Sequence, residues 1–323
     1  MNTNKIIILT GGTGTVKLIK GFNQLIPERL VIITNTGDDF NYYGIKVSPD
    51  TDSVLYALSN QLDESKMWGL KDESFITQKQ LQKIDNNPNK VSEWFNLGDK
   101  DLAFCLYRQF LIKQGKSFTE SVEIIKNQLQ IKPQIFPMSD SEVTTYFTTE
   151  DGKTYHFEEF FIRLHSNPHI RRIDFVNSDK AKVSEQLLNR ILQAKIIIIG
   201  PSNPITSIGP ILSIKKIKMA IKESKALKIV ISPIIGREAY SGPAKIYMQA
   251  KGVEVSPIGV FNYYQDLADQ YYFDTSDKTE FENSLLELGQ KNNKEIFFEN
   301  IIFDSKEKQL AFAEFLVKKI NIN

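Results

Sequence analysis

The sequence predicts an α/β fold, a mainly parallel sheet flanked by helices, with an α+β subdomain inserted into it. Short unbroken apolar runs at 5–10, 30–36, 194–200 and 228–233 have strand length. They lack the alternation of a half-exposed strand, as expected for parallel strands covered on both faces. Glycine- or hydroxyl-bearing loops follow these runs. Between about residues 60 and 180 the alternation of strand and helix breaks off.

The first run, Lys5-Ile6-Ile7-Ile8-Leu9-Thr10, ends in Gly11-Gly12-Thr13-Gly14-Thr15 and passes directly into an amphipathic helix pattern. Strand, glycine turn and helix start place backbone N–H groups against a phosphate, as in a Rossmann-like first βα unit. Glycine permits both the close approach and a positive φ. Neither common fingerprint is met. No Gly-Lys-Ser/Thr triplet follows, and the G-x-G-x-x-G pattern reads Gly12-Thr13-Gly14-Thr15-Val16-Lys17, without its third glycine. A P-loop ATPase or an ordinary NAD enzyme is therefore disfavoured. The plain alternative, a turn that only joins strand to helix, stays open at this point.

The second run ends in Gly37-Asp38-Asp39. In doubly wound sheets the loops at strand carboxyl ends converge on one crevice, so Asp38 and Asp39 are expected beside the glycine turn; alternatively they form a solvated turn. In Val47-Ser48-Pro49-Asp50-Thr51-Asp52-Ser53, Pro49 and Asp50 suit the start of a helix burying Val54, Leu55 and Leu58. Asp50 and Asp52 can serve as cap and dipole residues there. Four carboxylates so close to a phosphate site also suit Mg²⁺ held by hard oxygens, with Asp38, Asp39 and Asp50 as the metal set.

The core is assigned to 1–60 and 181–323, and 61–180 is read as an inserted α+β region that does not continue the parallel sheet. Within it, Leu102, Leu106 and Phe110 recur at i, i+4 and i+8 and predict the buried face of a helix led by Asn96-Leu97-Gly98-Asp99. Ser117-Phe118-Thr119-Glu120 is a capping box for a helix to about residue 129. Gln134-Ile135-Phe136-Pro137-Met138 is strand-like, and Glu150-Asp151-Gly152 turns between β-rich runs at 143–149 and 153–163. His156, His165 and His169 lack metal-ligand spacing and read as surface or packing residues. The single cysteine, Cys105, excludes an internal disulfide, fits a reducing cytosol and reads as a small buried hydrophobe.

Beyond residue 200 the chain carries a rigid polar lip, Pro201-Ser202-Asn203-Pro204-Ile205-Thr206-Ser207-Ile208-Gly209-Pro210. Ser241-Gly242-Pro243-Ala244 then opens another helix. A strand-like stretch at 295–303 and a helix at 306–320 close the chain. With 40 Lys plus Arg against 39 Asp plus Glu, the net charge of +1 leaves no electrostatic footprint for nucleic acid or a membrane surface. No apolar stretch approaches the roughly 20 residues of a membrane span, and the five apolar residues before the glycines make no signal peptide. A soluble, cytoplasmic protein is expected.

Six of these motifs, taken in order, resemble the 2-phospho-L-lactate transferase family. They are Gly11-Gly12-Thr13-Gly14-Thr15, Val47-Ser48-Pro49-Asp50-Thr51-Asp52, Leu97-Gly98-Asp99-Lys100-Asp101, Pro137-Met138-Ser139-Asp140, the Gly200–Pro210 string and Ser241-Gly242-Pro243-Ala244. The resemblance runs over about residues 5–275. It implies a Mg²⁺-dependent transferase of coenzyme F-420 biosynthesis, joining guanosine diphospho-lactate or its enolpyruvyl analogue to the ribityl hydroxyl of the deazaflavin Fo and releasing GMP. It implies a homodimer. It gives Gly12, Thr13, Gly14, Thr15, Asn203 and Ser207 to the nucleotide or its phosphates, Asp50 and Asp52 to catalysis, and Asp52 and Asn96 to the deazaflavin. Asn96 departs from the family, where Lys or Arg is common. The inserted region, with Trp68 and Trp94, then covers the acceptor. Two other readings stay open: a nucleotide-sugar-binding regulatory protein of the gluconeogenesis-factor type, and a diverged member acting on another flavin-like alcohol.

Overall fold

In the computed structural model, which describes residues 4–240 and 242–320, the unbroken apolar runs become one seven-stranded sheet. In chain order its strands are β1 (Ile6–Thr10), β2 (Leu30–Thr34), β3 (Gln134–Pro137), β4 (Ile196–Ile199), β5 (Leu227–Ile231), β6 (Gln270–Asp274) and β7 (Glu295–Glu299). They lie in the order β7-β6-β5-β4-β1-β2-β3, all parallel. The chain winds outward from β1 to β3, then returns to β4 and winds the other way. The order reverses between β1 and β4, which is where a doubly wound sheet opens its ligand crevice.

Period two along the strands builds two cores. Ile7, Leu9, Val31, Ile33, Ile197 and Ile199 point to one face of the sheet, with Leu187, Ile217 and Phe261 from the helices over it. Ile6, Ile8, Leu30, Ile32, Ile196 and Ile198 point to the other, against Val16, Leu55, Val122 and Phe312. On that second side the helix Thr13–Leu25 packs closely on Lys306–Lys319: a Cβ at Gly21 would lie 2.2 Å from the Gln309 carbonyl oxygen. Gly21→Ala is therefore expected to destabilise the protein by about 1–3 kcal/mol. Urea unfolding checks this, and an unchanged midpoint would contradict the close packing.

Three expectations within 61–180 need correction. β3 belongs to the parallel sheet, pairing with β2 from Val31 opposite Gln134 to Thr34 opposite Pro137; a proline is tolerated there because β3 is an edge strand. The run at 153–163 is a strand only over Thr154–His156 and then winds into a wide helical turn, Glu159–Arg163. Thr144–Thr149 pairs with that short strand and with Ile170–Val176 in a separate antiparallel sheet. Its turn is as expected, with Gly152 at φ +82°. The helix Asp99–Lys113 buries Cys105, Arg108 and Leu111, whereas Leu106 and Phe110 are 48% and 54% exposed. Its inner face is polar because it meets a carboxylate of the core, described below. The capping box at Ser117 and Glu120 forms as expected. Ser241 lies outside the described residues. No helix among the described residues is long and apolar enough to cross a membrane.

Candidate active site

A cavity of about 540 Å³ opens where the order of the sheet reverses. Gly11, Gly12, Thr13 and Gly14 line it from the end of β1, Asp38 from beyond β2, and Ser202, Asn203, Thr206 and Ser207 from beyond β4. Gly12 holds φ +72° and ψ −178°, a conformation natural only to glycine. Gly11 has no room for a side chain, since a Cβ would sit 2.7 Å from the Ser207 carbonyl oxygen. The two loops are thereby pressed together over the first turn of the helix Thr13–Leu25. The first N–H groups of any helix lack intrahelical partners, which makes this end an anion site. Asn203 shapes its own loop, its Oδ1 accepting the N–H groups of Ile205 at 3.0 Å and Thr206 at 3.4 Å.

Carboxylates gather beside this turn. Asp50, on the first turn of the helix Pro49–Leu58, accepts the Gly12 N–H at 2.5 Å through Oδ1 and an Asn35 amide N–H at 3.0 Å through Oδ2. The same Asn35 nitrogen donates to Asp38 Oδ2 at 2.8 Å and to the Thr206 carbonyl at 3.3 Å. Asp38 Oδ1 has no partner among the described residues. Glu158, buried and also lining the cavity, receives no hydrogen bond on its carboxylate from any described residue. Burial and mutual repulsion push these acids up. Asp50 rises to about 6, chiefly through desolvation and against the pull of the Gly12 N–H, and Glu158 rises to about 8 through desolvation and the charges of Asp50 and Asp39. Asp38 is raised by burial, then by Asp50 and Glu158. Asp38 and Asp50 thus offer hard oxygens of the kind a divalent cation takes, although Asp38, Asp50 and Glu158 do not all bring ligand atoms within 4.8 Å of one another.

The cavity lining is also rich in aromatic side chains. Trp68, Trp94, Phe95, Phe157 and Phe161 belong to it, with Asn96 and Tyr56. Below them Asp52 forms a bidentate ion pair with Arg108, Nη1 on Oδ1 and Nη2 on Oδ2 at 2.9 Å. Asp101 accepts the Tyr56 hydroxyl at 2.7 Å and is pushed up to about 7 by burial and the neighbouring Asp52. Asp52, Asp101 and Cys105 each bring a ligand atom within 4.8 Å of the others, so this group could hold a metal, although Arg108 already neutralises Asp52. One cavity thus joins an anion-binding turn, a group of carboxylates and a set of aromatic side chains.

That combination can be set beside known proteins. The sequence model of the family described as 2-phospho-L-lactate transferase CofD matches residues 6–302. The chain belongs to this CofD family. The 2-phospho-L-lactate transferase of Methanosarcina mazei is 37% identical over 97% of this chain and 99% of its own. That of Methanocaldococcus jannaschii is 35% identical, covering 97% of each. A Methanococcus maripaludis (strain C6) protein of the same name is 42% identical over 84% of this chain and 87% of its own. The crystal structure of a UPF0052-family protein from Bacillus halodurans aligns over 98% of this chain and 99% of that one, with a TM-score of 0.64 and 19% identity, a likeness of fold.

In this CofD-family chain the structure brings most of the expected residues to one place. Gly12, Thr13, Gly14, Asn203, Ser207, Asp38, Asp50, Asp52 and Asn96 all line the cavity. Two do not. Thr15 turns inward, its hydroxyl 2.6 Å from Ser202 Oγ, and holds the two loops together. Asp39 is corrected as a metal ligand: it pairs with Lys46 at 2.8 Å and accepts the Ser48 hydroxyl at 2.6 Å, away from the cavity lining. His156 packs as expected, with Nε2 3.1 Å from the Asp39 carbonyl oxygen. Cys105 is buried as expected but sits among charged groups, and burial pushes its thiol up. Asn35, Glu158 and Arg108 lie in or directly behind this site and are absent from the sequence reading. Asn35 lies two residues before Gly37 at a strand end, a position that could have flagged it. Glu158 and Arg108 carry no such local signal.

Proposed function

We propose that this protein transfers a phospholactyl or phosphoenolpyruvyl group from a guanosine diphospho donor to the ribityl hydroxyl of the deazaflavin Fo, releasing GMP. The observation that carries this reading is one cavity lined both by an anion-binding glycine turn and by Trp68, Trp94 and Phe95. Such a cavity suits a diphosphate facing a flat ring. The near-full-length similarity to proteins named 2-phospho-L-lactate transferase supports it further.

In this reading the acceptor hydroxyl oxygen bonds to the phosphorus that carries the lactyl group. The bond from that phosphorus to the bridging oxygen breaks, and GMP leaves with the electron pair. Transfer of this kind depends on positioning and charge neutralisation rather than on a covalent enzyme intermediate. The turn holds the diphosphate through the N–H groups of Thr13 and Gly14, with Gly12 allowing the close approach and Asn203 and Ser207 adding side-chain donors. Asp38 and Asp50 would hold Mg²⁺, with Glu158 close by, and the ion would offset charge on the phosphates. Asp52, fixed in place by Arg108, orients the acceptor with Asn96, and Asp50, whose oxygens each accept a single neutral hydrogen bond and carry no ion pair among the described residues, takes the hydroxyl proton.

The test is a fluorescence titration of the protein with Fo, with and without GDP and Mg²⁺. Saturable binding that quenches Trp68 and Trp94 is expected. An absence of Fo binding, with nucleotide sugars binding instead, would replace this reading with the regulatory one.

A further inference from the structure

We propose that Arg108 is a positioning residue for the acceptor, acting through Asp52; this rests on the reading above in which Asp52 meets the deazaflavin. Asp52 comes from the helix Pro49–Leu58 of the core, and Arg108 comes from the helix Asp99–Lys113, 56 residues further along the chain. Arg108 is fully buried, and Asp52 is buried at the cavity wall. The fork takes both carboxylate oxygens. The guanidinium is itself fixed: Nη2 also donates to the Lys46 carbonyl at 3.2 Å, and the group lies 5.6 Å from the centre of the Phe118 ring.

Stability alone does not account for this arrangement. A buried ion pair offers little net stabilisation over well-packed apolar side chains of similar volume. What a bidentate fork supplies is a fixed carboxylate plane. Two acids, Asp52 and Asp101, lie near this one guanidinium, and the fork selects Asp52 while Asp101 takes the Tyr56 hydroxyl instead. A carboxylate has about four lone-pair sites. With two of them held on Arg108 and the Ser48 N–H 3.4 Å from Oδ2, the spare lone pair of Oδ1 is left aimed in a set direction, which is what a donor group on a flat ligand needs. The same pair ties the helix Asp99–Lys113, and the acceptor wall with it, to the helix that carries Asp50.

Lysine keeps the charge but loses the fork, so Arg108→Lys is the informative variant. Wild type, R108K, R108Q, D52N and the double variant D52N/R108Q are titrated with Fo by fluorescence and with GDP by calorimetry, and each is melted. R108K is expected to lower the melting midpoint but stay folded, and to weaken Fo binding by about tenfold or more while leaving GDP binding near wild type. The double variant is expected to bind Fo no more weakly than D52N, because Arg108 acts only through Asp52. Wild-type Fo affinity in R108K would overturn the inference, as would Fo and GDP affinities falling together, which marks a structural role. If R108Q does not fold, R108K decides the matter alone. If wild type itself does not bind Fo, the acceptor reading falls and takes this inference with it; if wild type binds and R108K binds equally well, only the inference falls.

Discussion

Asp50→Asn is expected to lower kcat by about 10³-fold while leaving a folded protein. Asp50 stands beside the anion-binding turn, accepting its Gly12 N–H and the Asn35 amide that also holds Asp38. The substitution keeps the shape and one acceptor oxygen, so the Gly12 contact survives. It removes the charge that a cation would meet and the group proposed to take the acceptor's proton. The introduced amide nitrogen would face the Asn35 nitrogen, a donor against a donor, which costs about 1 kcal/mol. Against that, burial already holds the Asp50 carboxyl up at about 6, so removing its charge relieves an unfavourable interaction. The two effects oppose each other, and the melting midpoint should move by only about 5 °C or less. Steady-state kinetics with both substrates saturating, together with a melting curve, test the two halves of this expectation. Turnover near wild type would remove Asp50 from the chemistry; an unfolded variant would make it a structural residue.

What the sequence disclosed, and what it hid, follows from how local each feature is. The strand at Ile6–Thr10 and its glycine turn were legible because strand length, glycine and helix pattern are adjacent in the chain. Asp50 was legible because Pro49 marks a helix start and Asp50 follows at once. Asp38 and Asp39 could not be told apart by reading alone: Asp39 leaves the site because Lys46 and Ser48 claim it, and the small antiparallel ladder of Phe40–Tyr42 and Ile45–Val47 lies in the chain between Asp39 and Ser48. Arg108 was hidden for the opposite reason. The apolar spacing of Leu102, Leu106 and Phe110 predicts the wrong buried face, since the helix turns a charged face inward to meet an aspartate 56 residues away. Glu158 sits within Phe157-Glu158-Glu159-Phe160-Phe161, whose aromatics read as strand, while the chain in fact begins to coil there and carries Glu158 into the cavity wall. β3 is strand-like in sequence, but nothing local shows that it joins the parallel sheet; it does so as an edge strand, a position that tolerates its terminal proline.

With metal chelated, stability is expected to fall as pH rises from about 4 to about 8, and saturating Mg²⁺ is expected to reduce that fall. The sign follows from the direction of the shifts. Asp50, Asp38 and Glu158 all have folded-state values above their ordinary ones, burial being the first cause in each. Between the ordinary value and the folded one, the native protein holds protons that the unfolded chain has released, so rising pH favours unfolding. The contribution is complete below about pH 4 and is lost through about 6 for Asp50 and about 8 for Glu158. Asp50 alone accounts for at most about 3 kcal/mol, at 1.36 kcal/mol per unit. A cation among these oxygens reverses the argument: it binds the ionised forms, displaces their protons and tightens as pH rises. At a concentration 100 times its Kd it adds about 2.7 kcal/mol. Asp101, raised to about 7 beside Asp52, lies outside this cluster and should leave a residual slope that Mg²⁺ does not touch. Melting midpoints across pH 4.5–8.5 in chelator and in Mg²⁺ separate these contributions. A flat profile in chelator would show that the three acids do not burden the fold. An equal Mg²⁺ effect at pH 5 and pH 8 would show that the ion binds elsewhere, because only ionisation of Asp38, Asp50 and Glu158 makes this site one that strengthens with pH.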